Sequence, residues 1–207
     1  MAITFAVTHG ALRRIPMVMV YSLGLLPAPW LFWLAITGGL GPDPAKALEH
    51  RYGELALQFL VATLAITPLR RWIGLSLLRF RRALGLIAFA YVCLHVAVWL
   101  VLDVQGVMPA LAETVKRPFI TIGMAAFLML VPLALTSTDA ALRRMGPAAW
   151  RRLHLLVYPA ALAGALHYLL LVKAWPPEPF IYLTLILLLL ALRLPRVALR
   201  SRPDASR

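Results

Sequence analysis

From Ala83 to Leu102 the chain carries no charged residue, and a single imidazole, His95, stands inside that run. About 20 apolar residues suffice for a helix to cross the hydrocarbon core of a bilayer. Because lipid offers no hydrogen bonds, a segment there must satisfy its own backbone, which restricts a chain of this kind to helices or a closed barrel. The length of the run favours a helix. An ionisable side chain inside such a span is costly and reads first as functional, so His95 requires a partner.

The remaining residues place the whole chain in the same environment. Hydrophobic residues make up 62% of 207 positions, charged residues only 14%, and the mean hydropathy is +0.83. That is well beyond the usage of an average soluble domain. A formal net charge of +13 would suit a nucleic-acid binder only if the basic residues shared a soluble face, whereas here they sit in short clusters between apolar runs. Those clusters act as topology signals in contact with the lipid bilayer. The single cysteine, Cys93, lies in an apolar run, which excludes a disulfide framework and any multi-cysteine zinc or iron-sulfur site, and leaves it as a small packing residue.

Apolar periodicity and punctuation predict one all-α integral membrane domain over 1–207, a bundle of six transmembrane helices at about 15–37, 52–68, 83–102, 118–135, 153–172 and 180–194. The first run is longer than the core of a signal peptide and ends in bulky Trp30, Phe32 and Trp33, so it is read as a retained span. Gly38 to Pro44 is read as a loop because glycine and proline punctuate it densely. The stretches 103–117 and 136–152 are likewise read as connections. With this layout, 16 of the 21 basic residues fall at the N-terminus, in the second and fourth connections and in the tail. The positive-inside rule then puts both termini on the cytoplasmic side.

Five histidines remain to be assigned. His9 in the short tail and His50 in a polar loop are read as solvated. His95 follows Arg82 by 13 residues and His167 follows Arg152 by 15. At about 1.5 Å of rise per residue they lie roughly 20 and 22 Å from the cytoplasmic ends of two helices that run in the same direction. Two imidazoles at one depth suit axial ligation of a haem iron from opposite faces, and no acidic residue is placed in the span interiors to make a proton relay with them. The competing reading is a pair of interhelical hydrogen-bonding histidines, or a proton path. His154 sits close to Arg152, about 20 Å along the helix from His167, so it is assigned either to a second haem or to an interfacial hydrogen bond or propionate contact. Arg81 stands opposite it on the third span as a candidate propionate or quinone contact.

Six spans with histidines on the third and fifth resemble the ferric reductase-like transmembrane domain. Within that group, Gly39-Leu40-Gly41-Pro42-Asp43-Pro44, Leu64-Ala65-Ile66-Thr67-Pro68-Leu69-Arg70, Arg81-Arg82-Ala83-Leu84-Gly85-Leu86, Leu94-His95, Thr136-Ser137-Thr138, Trp150-Arg151-Arg152-Leu153-His154-Leu155-Leu156-Val157-Tyr158 and Leu166-His167-Tyr168 resemble the bacterial haem-binding subunits called MsrQ or YedZ. The resemblance implies a bacterial inner-membrane protein holding haem b and FMN. It further implies that electrons pass from the membrane quinone pool to a periplasmic molybdopterin enzyme, MsrP, which reduces methionine sulfoxide in oxidised proteins. FMN rests on the resemblance alone, since the residues carry no glycine-rich dinucleotide turn. Alternative functions are a quinol-dependent cytochrome b reducing another acceptor, such as a metal ion, and a haem-free transporter or assembly protein whose histidines only bridge helices.

Overall fold

The computed structural model describes residues 14–172 and 176–193, and every regular element among them is helical. Helices α1 (Met17–Leu25) and α2 (Pro27–Ile36) follow one another across Leu26 and together make the first apolar span of 20 residues. Four further segments are long and apolar enough to cross a membrane: Pro44–Ile73, Leu78–Asp103, Pro118–Leu135 and Asp139–Leu171. The sixth expected span is a 15-residue apolar helix, α9 (Pro177–Ala191), shorter than the about 20 residues a crossing needs. The expected end of that span at 194, His9 and most of the basic tail lie outside the described residues.

Three segments depart from the sequence-based expectation, each for a local reason. Helix α3 runs over Pro44–Pro68 rather than beginning near Tyr52. Asp43 caps it by accepting a hydrogen bond from the Lys46 backbone N–H at 3.0 Å, and Pro44 supplies the preset φ of a first helical residue. Lys46, Glu49 and His50 therefore belong to a helix and not to a loop. The second departure is the stretch expected as a connection after the third span, which folds into α5 (Val107–Lys116). A third change affects the fifth span. It is preceded by α7 (Asp139–Leu153), where Thr138 accepts from the Ala141 backbone N–H at 3.1 Å and Gly146 breaks the axis with φ +76°. A single 3-10 turn at His154–Leu156 then leads into α8 (Val157–Leu171).

Helix α4 (Arg81–Val98) packs most extensively on α3, and α6 (Pro118–Leu135) on α8. The centre of the bundle is filled by Leu57, Leu60, Leu64, Ala160, Ala161 and Ile186, the two alanines coming from α8. A second cluster around Tyr52, Ile87 and Tyr91 fastens α1 and α2 to the bundle. In it the Tyr91 hydroxyl donates to the Gly24 carbonyl at 2.9 Å and the Tyr52 hydroxyl to the Ala28 carbonyl at 2.8 Å. Both hydroxyls are thereby satisfied in a setting where an unpaired polar group would be costly.

Candidate functional site

Helices α4 and α8 bring His95 and His167 face to edge, with ring centroids 6.2 Å apart and planes at 75°. Each imidazole is held by the helix beside it in the same way. His95 Nδ1 is 2.8 Å from the Glu49 carbonyl of α3, and His167 Nδ1 is 2.7 Å from the Phe119 carbonyl of α6. A carbonyl oxygen can only accept, so both Nδ1 atoms donate, and in a neutral ring the free lone pair is then on Nε2. One turn beyond each carbonyl stands a glycine. A Cβ at Gly53 would lie 3.1 Å from His95 Nδ1, and one at Gly123 would lie 2.7 Å from His167 Nδ1. Bare backbone at these positions is what lets each ring reach the carbonyl of the preceding turn.

Both rings line a cavity of about 750 Å³ bounded by α3, α4, α5, α6 and α8. Its inner wall is apolar, from residues such as Leu57, Val92 and Phe127, while Lys46, Glu49, Asp103 and Lys116 stand among its lining too. The buried Glu49 carboxylate pairs with Lys46 at 3.1 Å, and the same ammonium reaches Asp103 at 3.1 Å. Trp99, at the start of a π-helical turn over Trp99–Asp103, closes one side.

The separation of the two rings suits a metal between them. A metal–imidazole bond of about 2 Å on each side, plus about 1 Å from each nitrogen to its ring centre, spans roughly 6 Å. Among the described residues, no group of three or more His, Cys, Asp or Glu side chains could hold a metal ion. A metal at this place would need its other ligands from outside these side chains, and the residues present fit a haem: two imidazoles, each with Nδ1 committed to a carbonyl, lining a largely apolar cavity of adequate volume.

Two sequence-based expectations are corrected here. His50, expected to be solvated in a loop, lies half-buried on α3 and lines the cavity. Glu49 and Glu54, which the late start assigned to the second span hides or leaves unremarked, put carboxylates into the cavity lining where none was expected. The Asp43-Pro44 pair was the available signal, because it marks a helix start eight residues before Tyr52. Gly53 and Gly123 also escape the sequence reading; nothing in their own helices ties them to histidines on other helices.

The remaining candidates stand apart from this pair. His154 Nε2 is 3.1 Å from the Thr136 hydroxyl, and the Trp150 indole stacks on the ring with centroids 3.8 Å apart. Trp150 in turn donates to the Thr136 carbonyl at 2.9 Å. Arg81 is an electrostatic neighbour of both His154 and Arg193. Arg193 donates to the Tyr158 hydroxyl at 3.0 Å and to the Leu64 carbonyl, and lies over the Tyr158 ring. These residues make a second, cationic cluster that does not include His95 or His167.

The ferric reductase like transmembrane component family matches residues 52–165, a stretch that contains His95, Gly53 and Gly123 and ends two residues before His167. The protein-methionine-sulfoxide reductase heme-binding subunit MsrQ of Brucella anthropi is 47% identical over 191 residues, covering 91% of this chain and 86% of the relative. The subunit of the same name from Brucella ovis is 48% identical over the same shares of the two chains. No solved structure matches the chain.

Proposed function

Because this chain belongs to the MsrQ family of ferric reductase-like membrane proteins and is a multi-pass protein of the bacterial inner membrane, we propose that it is a haem b electron-transfer subunit. It takes electrons from the membrane quinone pool and passes them to a periplasmic molybdopterin reductase, MsrP, which returns methionine sulfoxide in oxidised proteins to methionine. The observation that carries this reading is the facing pair His95 and His167, each with Nδ1 committed to a backbone carbonyl.

Haem bound between them would supply one-electron exchange, which lets a two-electron donor and a two-electron acceptor communicate through single transfers. His95 and His167 are the residues that would hold its iron. Their carbonyl partners fix the tautomer and the ring orientation, a role that outer partners of metal-bound imidazoles commonly play. The apolar wall from α3, α4, α6 and α8 keeps water from the centre, while the Lys46, Glu49 and Asp103 ion pairs hold the polar end of the cavity together. The bundle orientation proposed from the basic clusters puts that end on the periplasmic side, where the acceptor waits. FMN, implied by family resemblance, belongs to the same proposal, and the Arg81–Arg193 cluster has the chemistry to seat its phosphate, a haem propionate or a quinone oxygen.

The decisive experiment is the absorption spectrum of the purified protein, oxidised and then reduced, for the native chain and for His95→Ala and His167→Ala. The native protein should show a low-spin spectrum that each substitution abolishes. A colourless native protein, or a spectrum unchanged by both substitutions, would overturn the assignment.

A further inference from the structure

Helix α5 (Val107–Lys116) carries two distinct faces. Pro109, Ala112, Glu113 and Lys116 all line the cavity, and their spacing of three, four and seven residues puts them on one side of a helix. Val107, Met108, Leu111 and Val115 lie on another side, and they are 63%, 78%, 58% and 85% exposed. We infer that α5 is a membrane-seated lid, with one face closing the cavity and the apolar stripe sunk into the acyl and headgroup boundary of the bilayer.

The occupant of the stripe follows from where the helix is tethered. It is joined at its start to the span ending at Asp103 and at its end, through Arg117, to the span beginning at Pro118. Ten residues rise only about 15 Å, so α5 cannot cross and must lie at the surface where those two spans emerge. The apolar surface of the preceding span is exposed up to that point at Val101 and Leu102, which makes the stripe continuous with lipid-facing surface. At its end the Arg117 guanidinium pairs with the Glu113 carboxylate at 2.6 Å on the cavity side, which leaves the opposite stripe purely apolar, and an amphipathic helix of this kind buries its apolar side about 5–10 Å into the interface. The inference depends on the membrane reading and not on haem, so it survives or fails separately from the proposed function.

The test places single cysteines at Met108→Cys, Leu111→Cys and Val115→Cys in a full-length Cys93→Ala background. Each carries a nitroxide label in vesicles of phosphatidylethanolamine and phosphatidylglycerol. Relaxation of the label by oxygen should exceed relaxation by a water-soluble nickel chelate several-fold at all three positions. Equal or greater relaxation by the nickel chelate would overturn the inference and make the stripe a face for water or a soluble protein. As a control without substitutions, photoactivatable phospholipid should label the 107–116 peptide of the native chain. Labelling of α6 peptides without labelling of this one would also reject the lid.

Discussion

Gly123 lies so close beneath His167 that a Cβ on it would meet Nδ1 at 2.7 Å and Cε1 at 3.0 Å. Gly53 stands in the same relation to His95, but with the nearest ring atom at 3.1 Å. Overpacking a tight site costs about 1–3 kcal/mol, and here the strain would fall on a ring whose position is its function. Gly123→Ala should therefore lower haem content several-fold and broaden the low-spin spectrum, and Gly53→Ala should do so less. The haem-to-protein ratio of purified variants, with circular dichroism to confirm the helices, checks the order. Equal haem retention in Gly123→Ala and the native protein would mean that the ring has room to move.

His154 should behave differently from the cavity pair. Its Nε2 is occupied by the Thr136 hydroxyl and its ring by Trp150, so His154→Ala should leave the spectrum of the His95/His167 haem unchanged. Loss of the hydrogen bond and the stacking should instead lower thermal stability by about 1–2 kcal/mol, seen as an earlier melting transition in detergent. If His154→Ala removed all haem while His167→Ala kept it, the ligand assignment would be reversed.

Tyr91 is buried completely and its hydroxyl reaches across to α1. Tyr91→Phe keeps the ring, which stacks on Phe59 with centroids 5.7 Å apart, and removes one hydrogen bond. A loss of about 1 kcal/mol is expected, with haem content unchanged, because the contact fastens the first span and does not touch the cavity. Parallel thermal melts and spectra of the variant separate the two effects.

Reporter fusions test the orientation. Fusions at Arg79, at Arg144 and at the C-terminus should report a cytoplasmic location, and those near Gly41 and Val107 a periplasmic one, given the distribution of basic residues. A periplasmic C-terminus would reverse the direction proposed for electron flow.

The histidine pair was legible in the sequence because two features reinforce each other there: apolar runs of membrane length, and equal spacing from basic clusters that mark one surface. Depth along a helix follows from a fixed rise, so a count of residues was enough to bring His95 and His167 to one level. What encloses them was not legible. The carbonyls of Glu49 and Phe119 are backbone groups and carry no residue signature, and the value of Gly53 and Gly123 appears only when a ring from another helix lies against them. Helix α5 was missed for a further reason: a polar and apolar mixture of ten residues between two spans reads as a connection unless its two faces are resolved.

The matched seating of the two histidines also bears on how such a protein is put together. His95 is tied to α3 from α4, and His167 to α6 from α8, and these are the two helix pairs with the most extensive packing. Each histidine is thus seated within its own helix pair. A haem gripped from both sides would then act as a rivet between them, and ligand binding to the assembled state alone shifts the balance away from separated halves. Haem supply would thereby govern assembly of the bundle as well as its redox activity.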